Sequence, residues 1–479
     1  MLIHFFPPPI PKMAQHHDAA SIVHGAWIWL AWHRSSWTDR CVFATMIAFW
    51  PAYILTAALL DVAILGQRVM RECGKSRWRQ FGEILRIGFG HGLLPRHYYM
   101  FELYRETART RFHEVLHRTE TKAFLYGLLT EKSKWVKGVP PFASKQHFAE
   151  LCLKNNLPAV PILAVAHRGK LAPVASASLI LPQADLFLKP SALRGGLGAE
   201  IWRYEDGRYC RYGRQQGRGA VATWLLILGT RPSIDFAKAL LWRCIASCRA
   251  GTALQCEVLD AAGLCRRLEQ MPPQIKYLVQ PRLRPHAALV GLGLGVLTTV
   301  RVLTCTGLDG EVHVTHAVFR MPITRHAVVD NFHAGGIAAA IDIETGRLGR
   351  ATDLGLRRDS AWYRTHPITG AQIEGRILPW WPEVADLACR AQRAISDRPF
   401  VGWDIAILDS GPCLIEGNGR PDIELIQRPY REPLGNSRFG QILAEHVLHK
   451  LGPIVGLPRW PGSIADRSTA YHPGEGVTR

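Results

Sequence analysis

The chain has 479 residues, of which 48% are hydrophobic, so it is long enough for two or three domains and is not intrinsically disordered. Its 58 Lys and Arg against 39 Asp and Glu give a formal charge of +19, which favours an anionic partner such as nucleotide phosphates or a membrane surface. Nucleic acid is a disfavoured partner because the basic residues form no recognisable nucleic-acid motif, and eleven cysteines without a Cys-x-x-Cys pair are typical of reduced cytosolic thiols.

The first predicted element is an apolar run over residues 42–60, within a hydrophobic amino-terminal region of residues 1–80. The run lies between Arg40 and Asp61, has Pro51 near its centre, and is about long enough to cross a bilayer. Three interpretations stay open: a membrane helix, a segment attached peripherally to the membrane, or a buried helix of a soluble domain. The start of the chain lacks the charged-then-apolar order of a cleaved signal peptide. Basic residues from Arg68 to Arg79 would keep the remainder on the cytoplasmic side.

Helical spacing of apolar residues continues over residues 81–140, and strands and helices alternate irregularly from 141 to about 450. This order favours an α+β domain over an even βαβ repeat. Residues 451–479 are predicted to be a loosely ordered tail. The predicted strands are 162–166, 184–189, 291–306 and 312–320, and the predicted helices are 144–156, 235–247 and 383–394.

A predicted phosphate-binding segment follows the strand that ends at Lys189, where a turn contains Gly195, Gly196 and Gly198. Glycines let backbone N–H groups converge on phosphate oxygens, and a lysine adds a positive charge beside them. A turn of this kind is weak evidence alone. Further on, Arg301 lies on a predicted strand rich in Val, Leu and Thr, where a structural salt bridge and a phosphate or substrate contact are both open interpretations.

Residues 401–418 are predicted to form a hairpin that carries three oxygen ligands. Apolar residues alternate from Val401 onward, residues 409–412 are typical of a turn, and a second apolar run begins at Cys413. Antiparallel pairing would place Asp404 opposite Glu416, with the Asn418 amide beside them. Two carboxylates and an amide suit Mg²⁺, although an exposed acidic hairpin would show the same spacing.

Taken in order, these segments resemble the ATP-grasp superfamily, and within it the sugar-transfer-associated, α-L-glutamate ligase-related family, over about residues 81–445. The resemblance implies an α+β fold in which two subdomains clasp ATP. That ATP-grasp domain would occupy residues 141–450, after a helical region at 81–140 and the hydrophobic residues 1–80.

The resemblance also implies roles for particular residues. Phosphate contacts would come from Lys145 and Lys189, a closing loop from Gly195, Gly196 and Gly198, and adenine contacts from Val279 and Gln280. Asp404, Glu416 and Asn418 would hold Mg²⁺, with Mn²⁺ as an alternative, while Arg301 and Asn331 would face the reacting groups. One departure from the family pattern is that residues 281–286 contain no acidic side chain to accept the ribose hydroxyls.

The function implied is an ATP- and Mg²⁺-dependent ligase that joins a small carboxylate to an amine or related nucleophile through an acylphosphate. Sugar-linked substrates and a role in cell-surface polysaccharide or sugar modification are the specific expectations. The alternatives are a kinase of a sugar or alcohol and a non-catalytic, membrane-associated ATP-binding subunit. The expected location is the cytoplasm, with the inner face of the cytoplasmic membrane as the attachment site if the apolar segment binds lipid.

Overall fold

The computed structural model describes residues 18–174, 180–192, 198–214, 254–324, 330, 332 and 335–455. Within these residues the chain divides into two units. One comprises the described parts of 130–305 and 312–430 and contains both sheets. The other comprises the described parts of 7–129, 306–311 and 431–479 and is helical.

Six helices from the amino-terminal part and one from the carboxyl-terminal part build the helical unit. They are α1 (Ala19–His33), α2 (Trp37–Cys73), α3 (Arg77–His91), α4 (Pro95–Met100), α5 (Glu106–Thr110), α6 (Tyr126–Leu128) and α12 (Arg438–Val455), with a 3-10 turn at Phe112–Glu114 and a π-helical turn at Glu120–Leu125. The predicted apolar run 42–60 therefore lies inside one longer helix, α2.

Local sequence signals set the ends of these helices. The Ser36 and Ser76 hydroxyls accept backbone N–H groups in the first turns of α2 and α3, as N-cap residues do. Gly74 and Gly92 follow the two helices at φ angles of 66° and 69°, the left-handed conformation that glycine adopts at little cost. Pro95 then begins α4, because a first-turn position needs no N–H donor.

The interior of the helical unit contains a buried ion pair. His24 Nδ1 lies 2.5 Å from Glu120 Oε1, and both side chains are fully buried. The other carboxylate oxygen of Glu120 accepts the His117 backbone N–H at 2.8 Å. Burial opposes ionisation of both groups, yet Glu120 raises the pKa of His24, and His24 and His117 lower the pKa of Glu120.

The first sheet has the strand order β2-β1-β7-β3-β4-β5-β6, and its described pairings are antiparallel. Strand β7 lies between β1 and β3 and is hydrogen-bonded to both. Helices α7 (Lys145–Lys154) and α8 (Ala261–Glu269) belong to the same unit. The strands are β1 (Ala164–His167), β2 (Lys170–Pro173), β3 (Leu186–Pro190), β4 (Glu200–Glu205), β5 (Arg208–Arg214), β6 (Leu254–Leu259) and β7 (Tyr277–Pro281).

The second sheet has the order β12-β11-β10-β9-β8-β13-β14. Its strands are β8 (Thr299–Thr306), β9 (Val312–Met321), β10 (Ile337–Ile341), β11 (Leu348–Thr352), β12 (Trp362–Tyr363), β13 (Phe400–Leu408) and β14 (Gly411–Asn418). Helix α10 (Trp381–Ile395) contributes its apolar face to the core of this sheet, and α11 (Glu424–Tyr430) follows β14. The predicted α+β fold with a helical, apolar amino-terminal region is confirmed, and the structure builds it with two sheets.

One predicted strand begins later than expected, and one predicted helix lies where the structure describes no residues. The strand expected over 291–306 begins only at Thr299, because the preceding residues form the short helix α9 (Val290–Gly293). Leu294 and Gly295 then have φ angles of 49° and 83°, which a strand cannot contain. The helix predicted at 235–247 lies outside the residues that the structure describes.

Candidate functional site

The predicted hairpin is present as β13 and β14, and it brings the three expected oxygen ligands onto one face. Asp404 pairs directly with Glu416 and Gly402 with Asn418, so the ligand side chains share a face of the sheet. An extra residue, Ile415, bulges next to the Asp404 pair. Strand β14 already begins at Gly411, so the turn is shorter than the sequence indicated.

Alternation along β13 explains why the Gly-Trp-Asp sequence suits this strand. Trp403 is fully buried in the core, where its indole N–H donates to Thr304 Oγ1 at 2.8 Å. Asp404 therefore points to the opposite face. Gly402 allows the Arg301 side chain to approach, because a Cβ there would lie 3.0 Å from Arg301 Cδ and 2.9 Å from Pro421 Cβ.

Arg301 lies directly opposite Asp404 on the neighbouring strand β8 and forms a two-point salt bridge with it. Arg301 Nε is 2.5 Å from Asp404 Oδ1, and Nη2 is 3.1 Å from Oδ2. Of the two interpretations left open for Arg301, the structure contains the salt bridge. Its catalytic role stays a prediction.

A second arginine, Arg320 on β9, reaches the same carboxylate. Its Nη2 lies 3.1 Å from Asp404 Oδ2 and 3.5 Å from Asp330 Oδ1. Thr299 connects Asp330 with Arg320. Its backbone N–H and hydroxyl both donate to Asp330 Oδ2, at 2.7 and 2.6 Å, and its hydroxyl oxygen accepts a hydrogen bond from Arg320. The sequence pattern assigned no role to Thr299 or Asp330.

Burial and charge act against each other at these carboxylates. For Asp404, burial would raise the pKa, but Arg301 and Arg320 hold it below the ordinary value. For Asp330, burial prevails over Arg320 and the Thr299 hydrogen bonds, and the pKa is raised. Arg320 has a raised pKa because Asp330 and Asp404 outweigh its burial.

Of the two lysines predicted to bind phosphate, Lys189 lies near the end of strand β3 and Lys145 begins helix α7. Lys189 is buried near the end of β3, and burial lowers its pKa to about 8, with Glu416 opposing and Lys145 adding to the shift. The Lys145 backbone N–H donates to Ser191 O at 3.2 Å, which joins the start of α7 to the residue after β3. Lys189 thus lies within electrostatic reach of both Lys145 and the hairpin carboxylate Glu416.

Only one glycine of the predicted closing loop can be placed. Gly198 has a φ angle of 73°, and a Cβ there would lie 3.0 Å from Pro190 Cγ, so both conformation and space favour glycine. Gly195 and Gly196 lie outside the described residues, as does Asn331.

The two residues predicted to contact adenine, Val279 and Gln280, lie on β7, between β1 and β3 in the first sheet. Val279 pairs with Ala164 on β1 and with Leu188 on β3, and its carbonyl accepts the Leu163 N–H at 2.8 Å. The Gln280 amide donates to Val160 O at 3.4 Å. Because the Val279 carbonyl already accepts the Leu163 N–H, adenine contacts by Val279 and Gln280 stay a prediction.

The hairpin residues fit Mg²⁺. Within the described part of the chain, the Glu416 carboxylate forms no hydrogen bond or ion pair within 4 Å. Asn418 Nδ2 is buried there without a hydrogen-bond partner, but it is a donor, so only the amide oxygen of Asn418 could bind a cation. Among the same residues, Asp404 Oδ1 accepts from Arg301 only, which leaves a lone pair. No group of three or more His, Cys, Asp or Glu that could hold a metal occurs among them. Two carboxylates and one amide would leave positions around Mg²⁺ for water and phosphate oxygens.

Comparison with known proteins gives a family for part of the chain. A family model described as sugar-transfer associated ATP-grasp matches residues 269–441. The match includes Arg301 and the whole hairpin, whereas Lys145 and Lys189 lie before it. No curated protein matches the chain.

Two solved structures are similar to the chain. One is D-alanyl-alanine synthetase A from Vibrio cholerae, with 10% identity and a TM-score of 0.32, over 64% of this chain and 65% of that one. The other is an L-amino acid ligase from Bacillus licheniformis, with 9% identity and a TM-score of 0.30, over 64% of this chain and 48% of that one. The chain thus spans just under two thirds of the first structure and about half of the second, and scores this low add no weight to a family assignment. Residues 269–441 of the chain are thus similar to the sugar-transfer associated ATP-grasp family, as its family model describes it.

Proposed function

We propose that the protein is an ATP- and Mg²⁺-dependent ligase that joins a carboxylate to an amine through an acylphosphate. The observation that carries the proposal is the arrangement at β13 and β14, where the Glu416 carboxylate has no close partner among the described residues and pairs with an arginine-bound Asp404. The surrounding charges suit a polyanion. Four cations outnumber three carboxylates there, namely Lys145, Lys189, Arg301 and Arg320 against Asp330, Asp404 and Glu416.

Each residue has a distinct part in this proposal. Lys189 and Lys145 bind phosphate oxygens, and Lys189 is a buried donor that forms no ion pair with another described residue. Arg301 and Arg320 hold the Asp404 carboxylate in one orientation. Asp404, Glu416 and Asn418 would hold Mg²⁺ or Mn²⁺, which when bound neutralises charge on the transferring phosphate.

The proposed reaction needs no side-chain nucleophile. A substrate carboxylate oxygen attacks the γ-phosphorus of ATP, the bond from that phosphorus to the bridging oxygen breaks, and ADP leaves. The amine nitrogen then attacks the acyl carbon, phosphate leaves, and the ammonium proton passes to water. Burial around Lys189 and Arg301 limits the water that could hydrolyse the acylphosphate.

The substrates follow from the family description alone. We propose that the acid or the amine is linked to a sugar, as in cell-surface polysaccharide modification, and that the reaction takes place in the cytoplasm, where ATP is available.

The test is ADP and phosphate release from the purified protein, screened against pairs of amino acids and sugar acids. Turnover should require both an acid and an amine, and Glu416→Gln should reduce it roughly 100-fold. Glu383→Gln, the same change at an exposed carboxylate on α10, is the matched control and should behave as wild type. Phosphate retained on an alcohol acceptor would identify a kinase instead, and equal hydrolysis by all three proteins would refute an ATP site at this hairpin.

A further inference from the structure

Helix α2 has one face buried inside its own unit. The buried apolar residues recur every three or four positions and pack toward α3 and α4. At the centre of this face, Trp50 and Ile54 form a cluster with Leu94. The Trp50 indole N–H donates to Gly88 O at 3.0 Å, and a Cβ on Gly88 would lie 2.9 Å from Ile54 Cδ1. This face is therefore a close-packed protein interior.

The opposite face of α2 is apolar and uncovered by the described residues. Its large side chains are between 41% and 67% exposed: Phe49, Leu55, Leu59, Leu60 and Ile64. They extend over about 23 Å at 1.5 Å per residue. Within the described residues α2 is the one helix long and apolar enough to cross a membrane, yet only 22% of its most apolar window is buried, whereas a core helix would be mostly buried. A contiguous apolar surface of this kind marks an interaction site.

The packing of α3 argues against a helix that crosses the bilayer. Gln80 on α3 donates to Gly66 O at 3.0 Å, and Gly88 touches Ile54, so α3 lies along the same stretch of α2 that would have to span. With 15 residues α3 is about 23 Å long, too short to cross. It also carries Arg79, Glu83 and Arg86, which a crossing would draw to hydrocarbon depth, where charged side chains are strongly disfavoured.

Charge around the apolar face indicates which surface covers it. Exposed arginines flank the face at both ends, with Arg40 before it and Arg71 after it. Trp37, at the start of α2, is exposed as well, and tryptophan is enriched at membrane interfaces. An apolar stripe between basic residues is the pattern of a helix that lies in an anionic lipid interface.

We propose that α2 docks the protein onto an anionic membrane surface with its axis in the plane of the interface, its exposed face in lipid and its α3 side toward water. The inference is independent of the ligase proposal, because none of the residues it uses belongs to the candidate ATP site.

Vesicle binding by the full-length protein tests the docking face. The protein should co-sediment with phosphatidylcholine vesicles that contain phosphatidylglycerol and should bind weakly to phosphatidylcholine alone. Leu60→Glu should weaken binding roughly tenfold, because it replaces a largely exposed leucine that would enter lipid by a charged side chain. Leu308→Glu, at a residue 50% exposed against 63% for Leu60, is the matched control and should bind as wild type. Far-UV circular dichroism melting shows whether both variants are folded.

Two native cysteines distinguish docking from crossing. Cys41 and Cys73 are exposed near the two ends of α2, about 48 Å apart along the helix. With protein added to sealed vesicles, a membrane-impermeant maleimide should label both residues from outside, as read by peptide mass spectrometry with Cys41→Ser and Cys73→Ser as controls. Labelling of one end only would show that the helix crosses. Equal binding by Leu60→Glu and wild type, or a lipid-free dimer that Leu60→Glu dissolves, would show that lipid is not the occupant of this face.

Discussion

Replacing Lys189 with methionine is expected to stabilise the protein while removing its response to ATP. Lys189 is only 9% exposed, and it forms no hydrogen bond or ion pair with another described residue. A buried ammonium without a close partner opposes folding, whereas methionine fills similar space without charge.

The size of the effect follows from the pKa of Lys189. Burial lowers it from 10.5 to about 8, and each unit corresponds to about 1.4 kcal/mol, so the charged side chain lowers the free energy of unfolding by about 3 kcal/mol at pH 7. The folded-state pKa is below the unfolded one, so the unfolded chain binds more protons between about pH 8 and 10.5. Stability of the wild type should therefore rise with pH across that window, and the advantage of Lys189→Met should shrink to about 1 kcal/mol at pH 9.5.

Urea unfolding at pH 7 and pH 9.5, with and without MgATP, measures both parts of this prediction. MgATP should raise the wild-type midpoint and leave that of Lys189→Met unchanged, because the variant lacks the phosphate contact. Lys170→Met, at an exposed lysine on β2 of the same sheet, is the control and should show neither effect. A Lys189→Met protein less stable than wild type at pH 7, or a difference that does not change with pH, would refute the reasoning.

Three other substitutions test the remaining contacts. Glu416→Gln should change the free energy of unfolding by less than about 0.5 kcal/mol, since its carboxylate has no close partner among the described residues, yet reduce ATP turnover roughly 100-fold. Asp404→Asn should instead lose about 3 kcal/mol in urea unfolding, because two buried arginines lose their counter-charge, and unchanged stability would contradict that geometry. Glu120→Gln should destabilise the helical unit most between about pH 4.5 and 6.5, where His24 and Glu120 both keep their charges when folded, and less as pH rises through the raised pKa of His24. A thermal unfolding series in which that difference is flat with pH would contradict the ion pair.

The contrast between Asp404 and Glu416 affects how the site is tested. Asp404 looks like the natural residue to remove, but it also holds two buried arginines, so lost activity in its variants would not separate chemistry from stability. Glu416 faces the same site but holds no arginine among the described residues.

Several features were determined by the sequence alone, because their causes are local. The hairpin follows from period-two alternation and a turn, and the same alternation places Asp404, Glu416 and Asn418 on one face. Serine caps and following glycines are local signals of the same kind at the ends of α2 and α3. The order of these segments was also enough to indicate the family.

The tertiary structure alone decided what lies next to these local features. The bond between Arg301 and Asp404 depends on β8 pairing with a strand about a hundred residues later, and Arg320 and Asp330 join it from other parts of the chain. The pattern of α2 was compatible with spanning, peripheral and buried helices alike, and only its packing against α3 showed which face is uncovered. Periodicity reports which residues share a face, whereas the neighbour of that face is set by the burial and pairing of the whole chain.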